Sequence, residues 1–266
     1  MLSVTPIPAF SDNYIWLLRQ DANSNTDANG QPADIHVAVV DPGDAEPVIE
    51  LLERDGLTLD SILITHHHHD HTGGLAELIK RYRPRVFGPH NPGIKGIDER
   101  LKDGDECRIL GRRFEVFEVP GHTLDHIAFY SAGVPPLLFC GDTLFCAGCG
   151  RLFEGSPEQM HASLSRLARL PADTLVFAAH EYTLANLRFA KAADPQNTQI
   201  DQFHDECQRA RELDRPTLPS TIQRELAINP FLRSDRPEVQ RAASRQGDTD
   251  SAQATFATLR AWKDNF

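Results

Sequence analysis

The stretch Ile64-Thr65-His66-His67-His68-His69-Asp70-His71-Thr72-Gly73-Gly74 sets five histidines and one aspartate directly after an apolar run. Alternate residues of an extended chain project to one side, so His66 and His68 share a face and can hold one metal ion. Asp70 and His71 lie further round the turn, within reach of a second ion. Gly73 and Gly74 let the backbone turn tightly into the helix that follows. His67 and His69 project away from the ligand face, which assigns them a structural or supporting role. At a terminus a histidine run reads as a tag. Inside the chain, followed by Asp70 and a glycine pair, it reads as a metal loop.

A divalent ion used in catalysis needs more ligands than one loop supplies, with a position left open for water. Three other segments end an apolar run on a metal-binding residue: Phe117-Glu-Val-Pro-Gly-His122, Leu138-Phe-Cys-Gly-Asp142 and Leu175-Val-Phe-Ala-Ala-His180. Open α/β sheets bind ligands at their strand ends, so the four ends are predicted to converge at one sheet edge. Asp142, with two carboxylate oxygens, suits a bridge between two cations. His126 is expected to support the site without coordinating. His36, His90, His161 and His204 have no ligand-like context.

Outward from these loops, the first 180 residues alternate short β-branched runs with helical patterns, which predicts an α/β layered domain. Strands are predicted at Asn13–Leu18, Ile35–Asp41, Asp60–Thr65, Arg113–Val119, His126–Tyr130, Pro136–Cys140 and Thr174–Ala178. Helices are predicted at Ala45–Arg54, where Gly56 supplies a stop, at Leu75–Tyr82, and at Ser156–Leu170, where Ser156 caps and Pro157 takes the first helical position. The segment Asp21–Asp34, with three Asn, three Asp and Gly30, has no periodicity and is expected to be an excursion between two strands without chemistry. From Leu184 onward β-branched runs vanish and prolines punctuate helical patterns at about 184–193, 197–214, 220–227, 236–245 and 250–264. The expected division is therefore a catalytic domain over 1–183 and an all-helical domain over 184–266. Some eighty residues is near the lower limit for folding unaided, so the second should pack on the first.

Composition narrows the partners. The chain has 27 Lys and Arg against 38 Asp and Glu, a net charge of −11 over 266 residues, which opposes nucleic acid or an anionic membrane as the main partner. No apolar run approaches the ~20 residues of a membrane-spanning helix. The start, Met1-Leu-Ser-Val-Thr-Pro-Ile-Pro, does not read as a secretion signal, so the expected address is the cytoplasm. Five cysteines, odd in number and sparse, fit a reducing compartment. Cys146-x-x-Cys149 stands alone inside a glycine-rich turn, which favours a structural turn over redox work.

The pattern T-H-x-H-x-D-H over Thr65–His71, followed by His122, Asp142 and His180, resembles the metallo-β-lactamase superfamily. Over nearly its full length the chain is similar to the hydroxyacylglutathione hydrolase (glyoxalase II) family. The residues that carry this likeness are Ser11-Asp-Asn-Tyr-Ile-Trp16, Gly141-Asp-Thr-Leu-Phe-Cys-Ala-Gly-Cys-Gly150-Arg-Leu-Phe-Glu-Gly155, His180-Glu-Tyr-Thr183, Asn229-Pro-Phe-Leu-Arg233 and Lys263-Asp-Asn-Phe266. The resemblance implies an αββα four-layer sandwich with a C-terminal helical domain and a binuclear centre. It places His66, His68 and His122 on one ion, Asp70, His71 and His180 on the other, and Asp142 on both. The two divalent ions are taken as zinc, with iron or manganese as alternatives, because His and carboxylate ligands suit all three. The implied reaction is hydrolysis of S-D-lactoylglutathione to D-lactate and glutathione, in methylglyoxal detoxification, by a monomer acting on an acylglutathione.

The resemblance also carries substrate contacts onto Arg151, Phe153, Tyr182, Arg260 and Lys263. The family often has Lys at the position of Arg151, Tyr at that of Phe153 and Gly at that of Asp125, so here a cation is kept and a phenolic hydrogen bond lost. A hydroxide held between the ions would attack the thioester carbonyl, since bound water has a pKa near 7 against about 15.7 in bulk. Asp70 would both ligate and orient it. An ion would also polarise the carbonyl, and the leaving thiolate needs little acid assistance. The two carboxylates of glutathione call for local cations on this acidic chain, which Arg151, Arg260 and Lys263 supply. Alternatives on the same fold are a lactonase, a β-lactamase or an RNA-processing nuclease. The last two would carry a signal peptide and a basic surface respectively. Further alternatives are a di-iron redox protein, whose fused flavin domain has no counterpart in this helical tail, and a metal-storing scaffold.

Overall fold

The computed structural model describes residues 2–20 and 34–266. The excursion expected over Asp21–Asp34 lies outside the described residues except for Asp34. The chain divides into two compact units.

The first unit runs through Phe117 and adds Ile127–Val134. Its elements are β1 (Leu2–Ala9), β2 (Asn13–Gln20), β3 (Ile35–Val40), α1 (Glu46–Asp55), β4 (Leu57–Leu63), the single turn α2 (His69–Thr72), α3 (Leu75–Tyr82), β5 (Arg85–Pro89), β6 (Glu99–Leu101), β7 (Glu106–Ile109), β8 (Arg112–Glu118) and β9 (Ile127–Ser131). A six-stranded sheet has the order β1-β2-β3-β4-β5-β6. Its first two pairings are antiparallel and the remaining three parallel. The antiparallel edge follows from the short Phe10–Asp12 connection, whereas each parallel step needs a crossover.

One face of this sheet carries Ile15, Leu17, Val37, Val39, Leu59 and Ile62, packed with Val48, Ile49 and Leu52 of α1 and Leu75 and Leu78 of α3. Each of these large side chains contributes roughly 1.5–3 kcal/mol on burial. The alternate residues Trp16, Leu18, Ala38, Val40 and Leu63 are also buried. Both faces of the sheet are therefore covered at these positions, which explains the apolar runs Val37–Val40 in β3 and Ile62–Ile64 where β4 ends. Helix α1 ends where Gly56 adopts φ 61° and donates its N–H to the Leu52 carbonyl, the expected stop.

The second unit comprises Glu118–His126 and Pro135–Phe266. It contains β10 (Leu137–Gly141), β11 (Leu144–Phe145), β12 (Gly148–Cys149), α4 (Pro157–Leu167), β13 (Leu175–Ala178), α5 (Thr183–Ala193), α6 (Thr198–Arg211), β14 (Ser220–Thr221), α7 (Ile222–Ile228), a 3-10 turn at Pro230–Leu232, α8 (Pro237–Ala243) and α9 (Ala252–Asp264). Strands β10 and β13 run parallel with Phe139 opposite Phe177, their rings stacked at 5.0 Å. Ser156 caps α4 in a reciprocal capping box with Gln159, with Pro157 at the first turn. Among the C-terminal helices Phe189, Phe231, Phe256 and Trp262 form one aromatic cluster.

Two expectations need correction. The C-terminal segment is not purely helical, because Ser220–Thr221 pairs antiparallel with Leu175–Val176; two residues are too few to leave a periodic signal. The strand before the histidine run starts at Leu57 and stops at Leu63, so Ile64 and Thr65 lie beyond it. Both are nonetheless held, Ile64 by an N–H to the Phe87 carbonyl and Thr65 by Asp41.

Candidate metal centre

In the first unit the histidine loop leaves β4 and turns through α2. Thr65 donates its N–H and its hydroxyl to the two oxygens of Asp41, each at 2.7 Å. The same carboxylate lies 3.0 Å from His71 Nδ1. Asp41, His66 and His71 are all buried, and each offers a ligand atom within 4.8 Å of the others. An Nδ1–H donated to Asp41 leaves Nε2 as the coordinating nitrogen of His71. His66 Nε2 stands 3.1 Å from His68 Nδ1, and His71 Nε2 stands 3.5 Å from Asp70 Oδ2. The pairs expected from the spacing, His66 with His68 and Asp70 with His71, are thus brought together.

The backbone around Asp70 is closely packed. Asn13 Nδ2 donates to Asp70 Oδ2 at 3.1 Å. A Cβ on Gly43 would fall 1.8 Å from the Asp70 carbonyl oxygen, so only glycine fits there. His69 is exposed, and His67 is half-buried like His68.

In the second unit Asp142 lies between two imidazoles. Its Oδ2 is 3.3 Å from His122 Nε2 and its Oδ1 is 3.3 Å from His180 Nε2. One carboxylate oxygen facing each histidine is the arrangement a bridging ligand needs. His122 Nδ1 is 2.8 Å from the Arg151 carbonyl oxygen, which again points Nε2 toward the carboxylate. His126 Nε2 accepts the Asp142 N–H at 3.1 Å, the supporting role expected of it. Tyr182 stacks on His180 at 4.7 Å, and Phe153 meets the His122 ring edge-on at 5.3 Å.

The residues expected to touch substrate are also in the second unit and differ in environment. Arg151 and Phe153 are exposed, Arg151 Nε lying 3.3 Å from Asp264. Arg260 is buried, with Nη1 donating to the Cys149 carbonyl at 3.0 Å and Nη2 to Asp264 at 3.0 Å. Lys263 donates to the Ala185 carbonyl at 3.3 Å and sits over the Phe189 ring. Partial burial, with Arg260 and Arg188 nearby, lowers the Lys263 ammonium to about 8. Cys146 lies in the turn of the β11–β12 hairpin and Cys149 ends β12, and burial raises both thiols. Such thiols are poor nucleophiles, in line with a structural turn.

Asp41 carries no role in the sequence reading, although Val39-Val40-Asp41 shows the same signal as the other loops, a carboxylate at the end of an apolar strand. Its φ of 53° marks it further. Glu225 and Asn229 fasten the β11–β12 hairpin; Glu225 had no such signal, and Asn229 entered only as the start of the Asn229-Pro-Phe-Leu-Arg233 stretch, without a role, since both act on backbone atoms distant in sequence.

Two donor sets of histidine and carboxylate, each with imidazoles oriented by carbonyl or carboxylate partners, fit divalent metal ions. The sequence profile of the metallo-beta-lactamase superfamily matches residues 34–180, and that of the hydroxyacylglutathione hydrolase C-terminus matches residues 181–266. A hydroxyacylglutathione hydrolase of Chromohalobacter salexigens is 66% identical over 266 residues, covering all of both chains. One from Pseudomonas aeruginosa is 53% identical over 269 residues, again covering both chains fully. Among solved structures, ETHE1 from Myxococcus xanthus aligns with TM-score 0.63 at 23% identity, over 99% of this chain and 98% of its own. The BLEG-1 B3 metallo-beta-lactamase aligns with TM-score 0.60 at 22% identity, over 87% of this chain and 99% of its own. These two likenesses establish the metallo-beta-lactamase fold. With both profiles matched end to end and relatives alike over their whole length, the chain belongs to the hydroxyacylglutathione hydrolase family of the metallo-beta-lactamase superfamily.

Proposed function

We propose that the protein hydrolyses the thioester S-D-lactoylglutathione to D-lactate and glutathione, using two divalent metal ions. The observation that carries this reading is the full-length 66% identity to a relative named for hydrolysis of hydroxyacylglutathione. His66, His68 and His122 are assigned to one ion, Asp70, His71 and His180 to the other, and Asp142 to both. The pairings inside each unit support that assignment. Zinc is the proposed metal, iron and manganese being chemically suited as well. When bound, such ions make water a competent nucleophile near neutral pH and stabilise negative charge on a carbonyl oxygen.

The chain's own residues supply orientation and grip. Asp41 holds the Nδ1 proton of His71, and the Arg151 carbonyl holds that of His122. Asp70, steadied by Asn13, is the acceptor that aligns the attacking water. Arg151, Arg260 and Lys263 are assigned to the carboxylates of glutathione, Arg260 from a buried position where its guanidinium already meets the Cys149 carbonyl and Asp264, with Phe153 and Tyr182 as apolar surface beside His122 and His180. The departing thiolate is stable as an anion and needs no dedicated acid.

The proposed division is a catalytic domain over 1–183 and a helical substrate-binding domain over 184–266, close to the boundary between the two matched profiles. Among the described residues no helix is long and apolar enough to cross a membrane. We place the protein in the cytoplasm as a monomer, with a small acylglutathione as partner and neither nucleic acid nor membrane. The deciding experiment is hydrolysis of S-D-lactoylglutathione by purified protein, with metal content per chain measured on the same sample. Turnover with about two ions per chain is expected. A metal-loaded protein that spares the thioester but opens lactones would overturn the assignment.

A further inference from the structure

Side chains from the C-terminal helices converge on the hairpin that joins Asp142 to Arg151. Asn229 Nδ2 donates to the Gly148 carbonyl at 2.9 Å and to the Phe145 carbonyl at 3.3 Å. Asn186 Nδ2 donates to the Cys146 carbonyl at 3.0 Å, and Arg260 to that of Cys149. Glu225 Oε2 accepts the Ala147 N–H at 2.8 Å and the Asn229 amide at 2.9 Å, while its other oxygen accepts the Ser220 hydroxyl. Glu225 and Asn229 are 0% exposed. A buried carboxyl met by uncharged donors, the Cys146 thiol among them, is a costly placement, and the chemistry above does not use it.

The hairpin needs such help. It pairs only Leu144 with Cys149 and Phe145 with Gly148, too little to hold a shape alone, and Ala147 stands at φ 54°. Its position governs what lies on either side. Gly150 donates its N–H to the Thr143 carbonyl and packs so tightly that a Cβ would fall 1.9 Å from the Asp142 carbonyl oxygen. The next residue supplies the carbonyl that meets His122 Nδ1.

We propose that Asn229 and Glu225 are positioning residues. Through the Leu144–Cys149 hairpin they set the Arg151 carbonyl against His122 Nδ1 and so hold His122 Nε2 toward Asp142. The inference rests on the reading that His122 and Asp142 ligate metal.

The test compares purified full-length wild type with Asn229→Ala, Glu225→Met, Glu225→Gln and Ile228→Ala. Zinc affinity is measured by titration, and the His122 tautomer by nitrogen NMR of the metal-free protein. Asn229→Ala and Glu225→Met should bind zinc about tenfold more weakly and turn a single Nδ1–H tautomer into a mixture. Glu225→Gln, which keeps an acceptor for Ala147, should recover most of both. Ile228→Ala, a buried neighbour whose side chain cannot hydrogen-bond the hairpin, should lower Tm and move neither readout. Folded polar variants with wild-type affinity and one tautomer would overturn the proposal, as would equal losses in Ile228→Ala. If Asn229→Ala and Glu225→Met do not fold, Asn186→Ala decides on the same readouts. A wild type that neither binds zinc nor cleaves the thioester would instead overturn the reading of the site.

Discussion

His122 Nδ1 and the carbonyl oxygen of Arg151 are 2.8 Å apart, so a proposed metal ligand and a proposed substrate cation share one backbone contact. The arginine side chain points outward, 60% exposed, while its carbonyl turns inward to the imidazole. Grip and chemistry are thereby separable at this position, because substitution of the side chain leaves the carbonyl in place.

Arg151→Ala should therefore raise KM several-fold with kcat close to wild type, whereas Asp142→Ala and His68→Ala should abolish turnover together with metal binding. Steady-state kinetics on S-D-lactoylglutathione with metal analysis of each variant checks this. Equal loss of kcat in all three would contradict the division.

Asp41→Asn removes a charged acceptor that meets Thr65 twice and His71 Nδ1 once. We expect metal affinity to fall by about 10–100-fold, the usual cost of losing such an orienting carboxylate. Competition against a chelator, with circular dichroism to confirm folding, measures it.

Lys263 loses its proton near pH 8, not 10.5. Its charged form is the one that attracts a carboxylate, so kcat/KM should hold below about pH 8 and fall as pH rises through that value. Lys263→Arg keeps the charge at all accessible pH values and should shift or remove that limb. The ratio of wild-type to variant kcat/KM across pH 6–10 isolates the effect from other titrations, and a flat ratio would refute it.

Gly150→Ala brings a methyl group against the Asp142 carbonyl oxygen, where backbone cannot yield cheaply. Destabilisation of about 1–3 kcal/mol is expected from overpacking of this kind, measured by urea unfolding. Turnover should fall as well, because Asp142 would be displaced.

The sequence by itself determined the strand-end donors and the fold class. Apolar strands closing on His66–His71, His122, Asp142 and His180 were legible because strand period and ligand chemistry are both local. The helices were legible too, from caps such as Ser156 and stops such as Gly56. Only the tertiary structure decided how the imidazoles are oriented, since the partners of His71 and His122 lie 30 and 29 residues away. It also decided the fate of Arg260, whose charge alone suggests a surface cation, but whose guanidinium is buried on the Cys149 carbonyl 111 residues away. The two-residue strand at Ser220–Thr221 and the fastening of the hairpin by Glu225 and Asn229 were invisible for the same reason. Hydrogen bonds to backbone atoms depend on where the chain passes in space, and no residue type or spacing records that.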